Sequence, residues 1–136
     1  MTMIKPWPLR LLPGDDLRDA LEAAVAAQGC TAAFVLAGIG SLAQTRLRLA
    51  GAEALQVLDG DVEILTLSGS IAANGAHLHM SVAEADGRVL GGHVAPGCLI
   101  RTTAELLLAL LPDEYFTRDL DPATGYAELL VRRAGP

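Results

Sequence analysis

Hydrophobic and polar positions follow two periods along this chain, and the change from one to the other marks its elements. Residues 9–12 read as a short strand that Pro13 and Gly14 stop. Asp15 or Asp16 then caps a helix whose apolar positions Leu17, Ala20, Leu21, Ala24 and Val25 recur three and four apart, ending at Gly29. The continuous apolar run 32–37 predicts a buried strand closed by Gly38-Ile39-Gly40-Ser41, and 44–49 alternates as another strand. Gly38 and Gly40 read as a sharp strand exit and not as a phosphate cradle, because no full glycine-rich signature or helix start follows them.

Residues 62–94 carry the signals of a β-meander. Strands are expected at 62–71, 76–84 and 88–94, separated by Asn74-Gly75 and Asp86-Gly87, the dipeptides favoured in two-residue hairpin turns. After Pro96-Gly97 the stretch 100–111 returns to helical periodicity, with Thr102 or Thr103 near its start and Pro112 beyond its end. Residues 115–120 and 126–133 read as closing strands around a turn at 121–125. No repeat, linker or low-complexity segment interrupts the pattern. The expectation is one α/β (α+β) domain over residues 1–136, its core at about 9–133, with a mainly antiparallel sheet and two helices.

Alternation also assigns faces. A two-residue Asn74-Gly75 turn sets Ala72 and Ser70 opposite His77 and His79, and Ser68 opposite Ser81. One face then carries the two histidines with Ser68, Ser70 and Ser81; the other carries Leu65, Leu67, Ile71, Leu78, Met80 and Val82, a core face. Two imidazoles at i and i+2 present both rings to one side, where they can share an ion. A third ligand from the neighbouring strand would complete the three-protein-ligand set of catalytic zinc sites, and His93 is the candidate. A two-residue Asp86-Gly87 turn, however, pairs His93 with Met80 and turns it to the core. The metal reading therefore requires a register shift, for which Gly91-Gly92, a place for a bulge or a close backbone approach, is the expected site.

Two other readings of the histidines stand beside the metal. Any half-exposed strand places polar residues at i and i+2, and protonated histidines can hold an anion. The chain has only three histidines, and all fall in this short stretch among serines and glycines, which favours a site.

Composition narrows the partners. At 136 residues the chain can bury about 68–70% of its unfolded surface, so no disulfide or structural metal is required to stabilise it. Hydrophobic residues make up 51%, but the longest apolar run, 106–111, is too short to span a bilayer, so the excess belongs in a core or in subunit contacts. The first residues lack the apolar stretch of a secretory signal, which makes the cytoplasm the default location and a membrane an unexpected partner. Cys30 and Cys98 lack CxxC spacing and read as reduced packing residues. A formal charge of −6 opposes nucleic-acid binding; Arg46, Arg48, Arg132 and Arg133 read as solvated strand positions. Trp7, Phe34 and Phe116 read as packing residues.

In order along the chain, Leu12-Pro13-Gly14-Asp15-Asp16-Leu17, Gly38-Ile39-Gly40-Ser41, the run 62–69, His77-Leu78-His79, the run 86–93 ending in Gly91-Gly92-His93, and the run 97–105 together resemble the plants-and-prokaryotes conserved (PPC) domain. The resemblance extends from about Leu9 to Arg133. It implies a mainly antiparallel α/β domain assembled as a homotrimer, similar in fold to acetolactate decarboxylase, whose zinc is held by an HxH pair and a downstream histidine. Those roles map onto His77, His79 and His93. The implied protein is a trimeric binder of Zn²⁺ or another divalent metal, a role that extends to a small-molecule metalloenzyme of unassigned substrate; Ser68, Ser70, Ser81 and Arg101 are the candidates to touch a ligand or support the histidines, and no catalytic residue is assigned. For the catalytic arginine and carboxylates of acetolactate decarboxylase, Arg101 and Glu105 are the candidates, whereas Glu63 falls on the apolar face in this register. The competing implication is a non-catalytic, oligomeric module, regulatory or DNA-associated, because plant members join the domain to AT-hook motifs. This chain has no Arg-Gly-Arg-Pro hook, and its acidity opposes phosphate contact.

Overall fold

The structure is a computed structural model that describes residues 3–133. Nine strands and one helix follow in the order β1 (Lys5–Leu11), α1 (Leu17–Ala27), β2 (Ala32–Arg48), β3 (Gln56–Leu58), β4 (Val62–Ala72), β5 (Gly75–Ala83), β6 (Val89–Val94), β7 (Leu99–Leu110), β8 (Glu114–Asp121) and β9 (Tyr126–Arg133). The main sheet is antiparallel in every pairing, in the order β1-β7-β2-β4-β5-β6, and β3 pairs with β2. The end of β2 also pairs with β6, Leu47 opposite Val94 and Arg48 opposite His93, so β2, β4, β5 and β6 form a closed circuit. β8 and β9 form a separate hairpin.

The fold is α+β with one helix, not two. The stretch expected to be the second helix is β7, an inner strand paired on one side with β1 and on the other with β2. Its Ala, Glu and Leu residues are good helix formers. In the strand, Ala104, Leu106 and Leu108 are buried while Glu105 and Leu107 between them are exposed, and two rows of sheet hydrogen bonds override the local preference. The helix that does form matches the expected stripe: Leu17, Leu21 and Val25 are buried. Each fully buried Leu contributes about 1.5–3 kcal/mol relative to exposure. Asp16 caps it by accepting from the Asp19 amide at 3.1 Å, and its other carboxylate oxygen accepts from the Gly97 amide at 2.6 Å, tying the helix start to the β6–β7 turn.

The two strands expected at 32–37 and 44–49 are one strand of 17 residues. Gly38 and Gly40 lie inside it and mark no exit. A Cβ on Gly40 would stand 2.5 Å from the Thr103 carbonyl oxygen, so the glycines let β2 lie close against β7. Pro6 and Pro8 are tolerated in β1 because it is an edge strand, paired only with β7.

Two clusters form the core. The larger joins α1 to the inner face of the sheet, including Leu42, Leu47, Ile71, Leu78, Val82 and Leu108. Leu65, expected there, is exposed: a register irregularity between the Ile64–Val82 and Thr66–Ser81 pairs leaves it as the extra residue and also turns Glu63 outward. In the smaller cluster, Phe116 of β8 packs on Ala32 and Ala72 and meets Phe34 edge-on at 5.7 Å. This seats the β8–β9 hairpin on the outer face of the sheet. Cys98 is buried and bonded through its sulfur to the Arg46 backbone, and both cysteines are free thiols, in keeping with packing roles.

Candidate metal centre

The outer face of β5 carries His77 and His79, alternating with buried Ala76, Leu78 and Met80. His93 on β6 lies directly opposite His79 and joins them on that face. The shift that achieves this is in the turn. Glu84 donates its amide to the Arg88 carbonyl at 2.8 Å, leaving a three-residue loop at 85–87, and pairing runs without irregularity from Ala83–Val89 to His79–His93. The bulge expected at Gly91-Gly92 is not needed. Gly92 instead serves a close approach: a Cβ there would stand 2.9 Å from the Arg48 carbonyl oxygen, at the seam where β6 closes on β2.

The first hairpin is also shifted by two residues from the expected register. Ala72 pairs with Gly75, so Ser70 faces His77 and Ser68 faces His79, which leaves the histidines and these serines on the face expected of them. Gly69, between the serines, has φ +147°, and its α-carbon lies where a Cβ would run into the His77 carbonyl. Only glycine fits there without moving the strand that carries the histidines.

The three rings lie together, with centroids 4.8 Å apart for His77–His79, 5.1 Å for His77–His93 and 5.9 Å for His79–His93. Each offers a nitrogen, and these donor atoms all lie within 4.8 Å of one another. Three nitrogens bound at about 2.0–2.1 Å to one tetrahedral ion sit closer than this, so modest ring rotation would complete the set. His93 Nδ1 is buried with no hydrogen-bond partner, a polar atom that a bound ion would satisfy. Burial, then neighbouring His77, Arg48 and Arg18, push the His93 pKa down to about 4. Burial, and then Arg118, lower that of His77. Both rings are therefore neutral at neutral pH, the form that binds metal and not the form that attracts an anion.

His77 and His93 open onto a cleft of about 780 Å³ lined also by Arg18 of α1, Arg48 of β2, Glu53, Arg118 of β8 and Tyr126 and Glu128 of β9. An adjoining recess of about 320 Å³ shares Arg48, His77 and His93 and reaches Gly91 and Gly92. Of the other residues singled out from sequence, Ser70 belongs to this place: it is buried and accepts a 2.6 Å hydrogen bond from Arg118 Nη2. Ser68 stands exposed opposite His79. Ser81 is tied to Thr66 by a 2.6 Å hydroxyl contact. Arg101 is elsewhere, ion-paired to Asp61 at 3.1 Å, and Glu105 and Glu63 share its distant recess. Arg48, read from sequence as merely solvated, faces the site because it pairs with His93. Arg18 and Arg118 had no sequence signal, since they come from elements far along the chain from the histidines.

A closed antiparallel sheet with three converging histidines on its outer face defines the class. The chain belongs to the Plants and Prokaryotes Conserved (PCC) domain family, whose model matches residues 1–112. It is 50% identical over 129 residues to the bifunctional protein GlmU of a Synechococcus strain, covering 95% of this chain but only 20% of that protein. Among solved structures, a hypothetical protein from Salmonella is 38% identical with TM-score 0.93, over 98% of this chain and 96% of the other. The metal-containing protein AF0104 from Archaeoglobus fulgidus is 27% identical with TM-score 0.83, over 96% of each chain. Two candidate DNA-binding proteins, from Bacteroides thetaiotaomicron and Ralstonia eutropha, share the fold at 20% and 21% identity.

Proposed function

We propose that this chain is a metal-binding protein in which His77, His79 and His93 hold one divalent ion, with zinc the first candidate, and leave a coordination position open to the cleft. The observation that carries the reading is the convergence of donor nitrogens from the three histidines, with Nδ1 of His93 buried and unpartnered. The metal-containing relative from Archaeoglobus supports it. A divalent ion held by three imidazoles can polarise a carbonyl or lower the pKa of a water, and so serve a reaction on a small molecule. This chain's own part is to hold His77 and His93 neutral by burial, to fix His79 against His93 through the strand pairing, and to wall the open side with Arg118, which Ser70 positions. The apolar side chains exposed on β2 and β7, with Leu36 57% and Ile39 55% accessible, support assembly of copies of the chain, a homotrimer being the form proposed. Metal analysis after zinc loading and dialysis tests the site. One zinc per native chain and its loss in His79→Ala are expected; no zinc, or unchanged affinity in the variant, contradicts it.

A further inference from the structure

Apart from its histidines, the cleft is dominated by arginine. The chain has 10 basic residues against 16 acidic ones, yet three of the ten line this one cleft, from α1, β2 and β8. Gathering like charges costs energy unless something neutralises them. The lining carboxylates, Glu53 and Glu128, are fewer than the guanidiniums. Glu22 takes Arg18, whose Nε lies 3.0 Å from its carboxylate, and the same oxygen accepts from the Ala76 amide. Arg48 makes no hydrogen bond or ion pair among the described residues. Arg118 is oriented by its bond to Ser70, while its Nε is buried without a partner. One free guanidinium and one held in place by Ser70 thus line the same cleft as His77 and His93.

We propose that this cleft binds a small molecule bearing an oxyanion, a carboxylate or phosphate group, gripped by Arg48 and Arg118 beside the histidines. Planar guanidiniums match such groups bidentately. A cleft of about 780 Å³ has the size of a metabolite site. As the ligand of the proposed metal centre the molecule would be an acid and not a neutral compound; in that respect the inference rests on the metal reading, but the arginine grip does not need the ion.

The test is therefore made without metal. Protein stripped of metal and dialysed is titrated calorimetrically with inorganic phosphate and, separately, with succinate, at constant ionic strength set by chloride. At least one of the two is expected to bind once per chain, and the preferred one identifies the oxyanion. Arg48→Gln and Arg118→Gln should each weaken binding about tenfold or more, the usual scale of a charge-assisted contact. Arg88→Gln, on the distant β5–β6 turn, should leave it unchanged. Arg48 is exposed, so its variant stays informative if Arg118→Gln folds poorly. Failure of both anions to bind above chloride, or binding unaffected by Arg48→Gln and by any folded Arg118 variant, overturns the proposal. Zinc content of the same variants after separate zinc loading and dialysis fails or succeeds independently, which separates this proposal from the metal reading.

Discussion

At the scale of single residues, the behaviour of His93 follows from where its ring is placed. Opposite His79, half-buried and near Arg48 and Arg18, it is held neutral, with a pKa of about 4 against 6.5 for the free side chain. Between those values the unfolded chain binds more protons at this position than the folded one. Stability of the metal-free protein is therefore expected to fall as pH drops from about 6.5 towards 4, with the contribution of His93 fully present above that window. Urea denaturation across this range checks it, and His93→Gln should flatten the slope. A native slope that is absent, or equally steep in the variant, would remove the burial account of this ring. The identity of the three ligand candidates was legible in the sequence because two of them share a strand face by simple alternation. The arginines were not: Arg118 meets His77 only because Phe116, two residues earlier, seats its hairpin on Ala32 and Ala72.

At the scale of elements, the site depends on β6 being clamped between β5 and β2. The adjacent glycines of β6 separate the two clamps. A Cβ at Gly92 would meet the Arg48 carbonyl at 2.9 Å, whereas one at Gly91 would stand 3.4 Å from the Met80 carbonyl, a tight contact but one with less to displace. Gly92→Ala should destabilise the fold by about 1–3 kcal/mol and weaken zinc binding by moving His93, with Gly91→Ala costing less on both counts. Thermal unfolding and zinc titration of the pair measure the contrast. Hairpin punctuation read from the sequence located both turns but set the first, a two-residue loop at 73–74, one residue too late and missed the length of the second. Asp86-Gly87 sits in a three-residue loop and not a two-residue one, and that single residue turns His93 from the core to the metal face. The leucine-rich β7 was read as a helix because its composition favours one, while the partners that make it a strand, β1 and β2, are remote in sequence.

At the scale of the whole molecule, the sheet leaves apolar side chains on its outer surface away from the hairpin. Phe34 is partly covered by Phe116, but Leu36, Ile39 and Leu107 have no such cover. If these residues join copies of the chain, light scattering should give three times the 14.2 kDa chain mass, and Leu36→Glu with Ile39→Glu should shift the protein to smaller species. A native protein of single-chain mass would contradict that assembly. No helix of the described residues is long and apolar enough to cross a membrane. The chain spans about a fifth of its curated Synechococcus relatives, so the same unit occurs there within a much longer protein.

The central claim is that three histidines, brought together by a three-residue turn and the closure of β6 on β2, hold one metal ion. Anomalous diffraction at the zinc absorption edge from zinc-loaded crystals tests it most directly. The account predicts one peak per chain with a nitrogen of His77, His79 and His93 each about 2.0–2.1 Å away. A peak bound by only one of them, or none between the three rings, would contradict it.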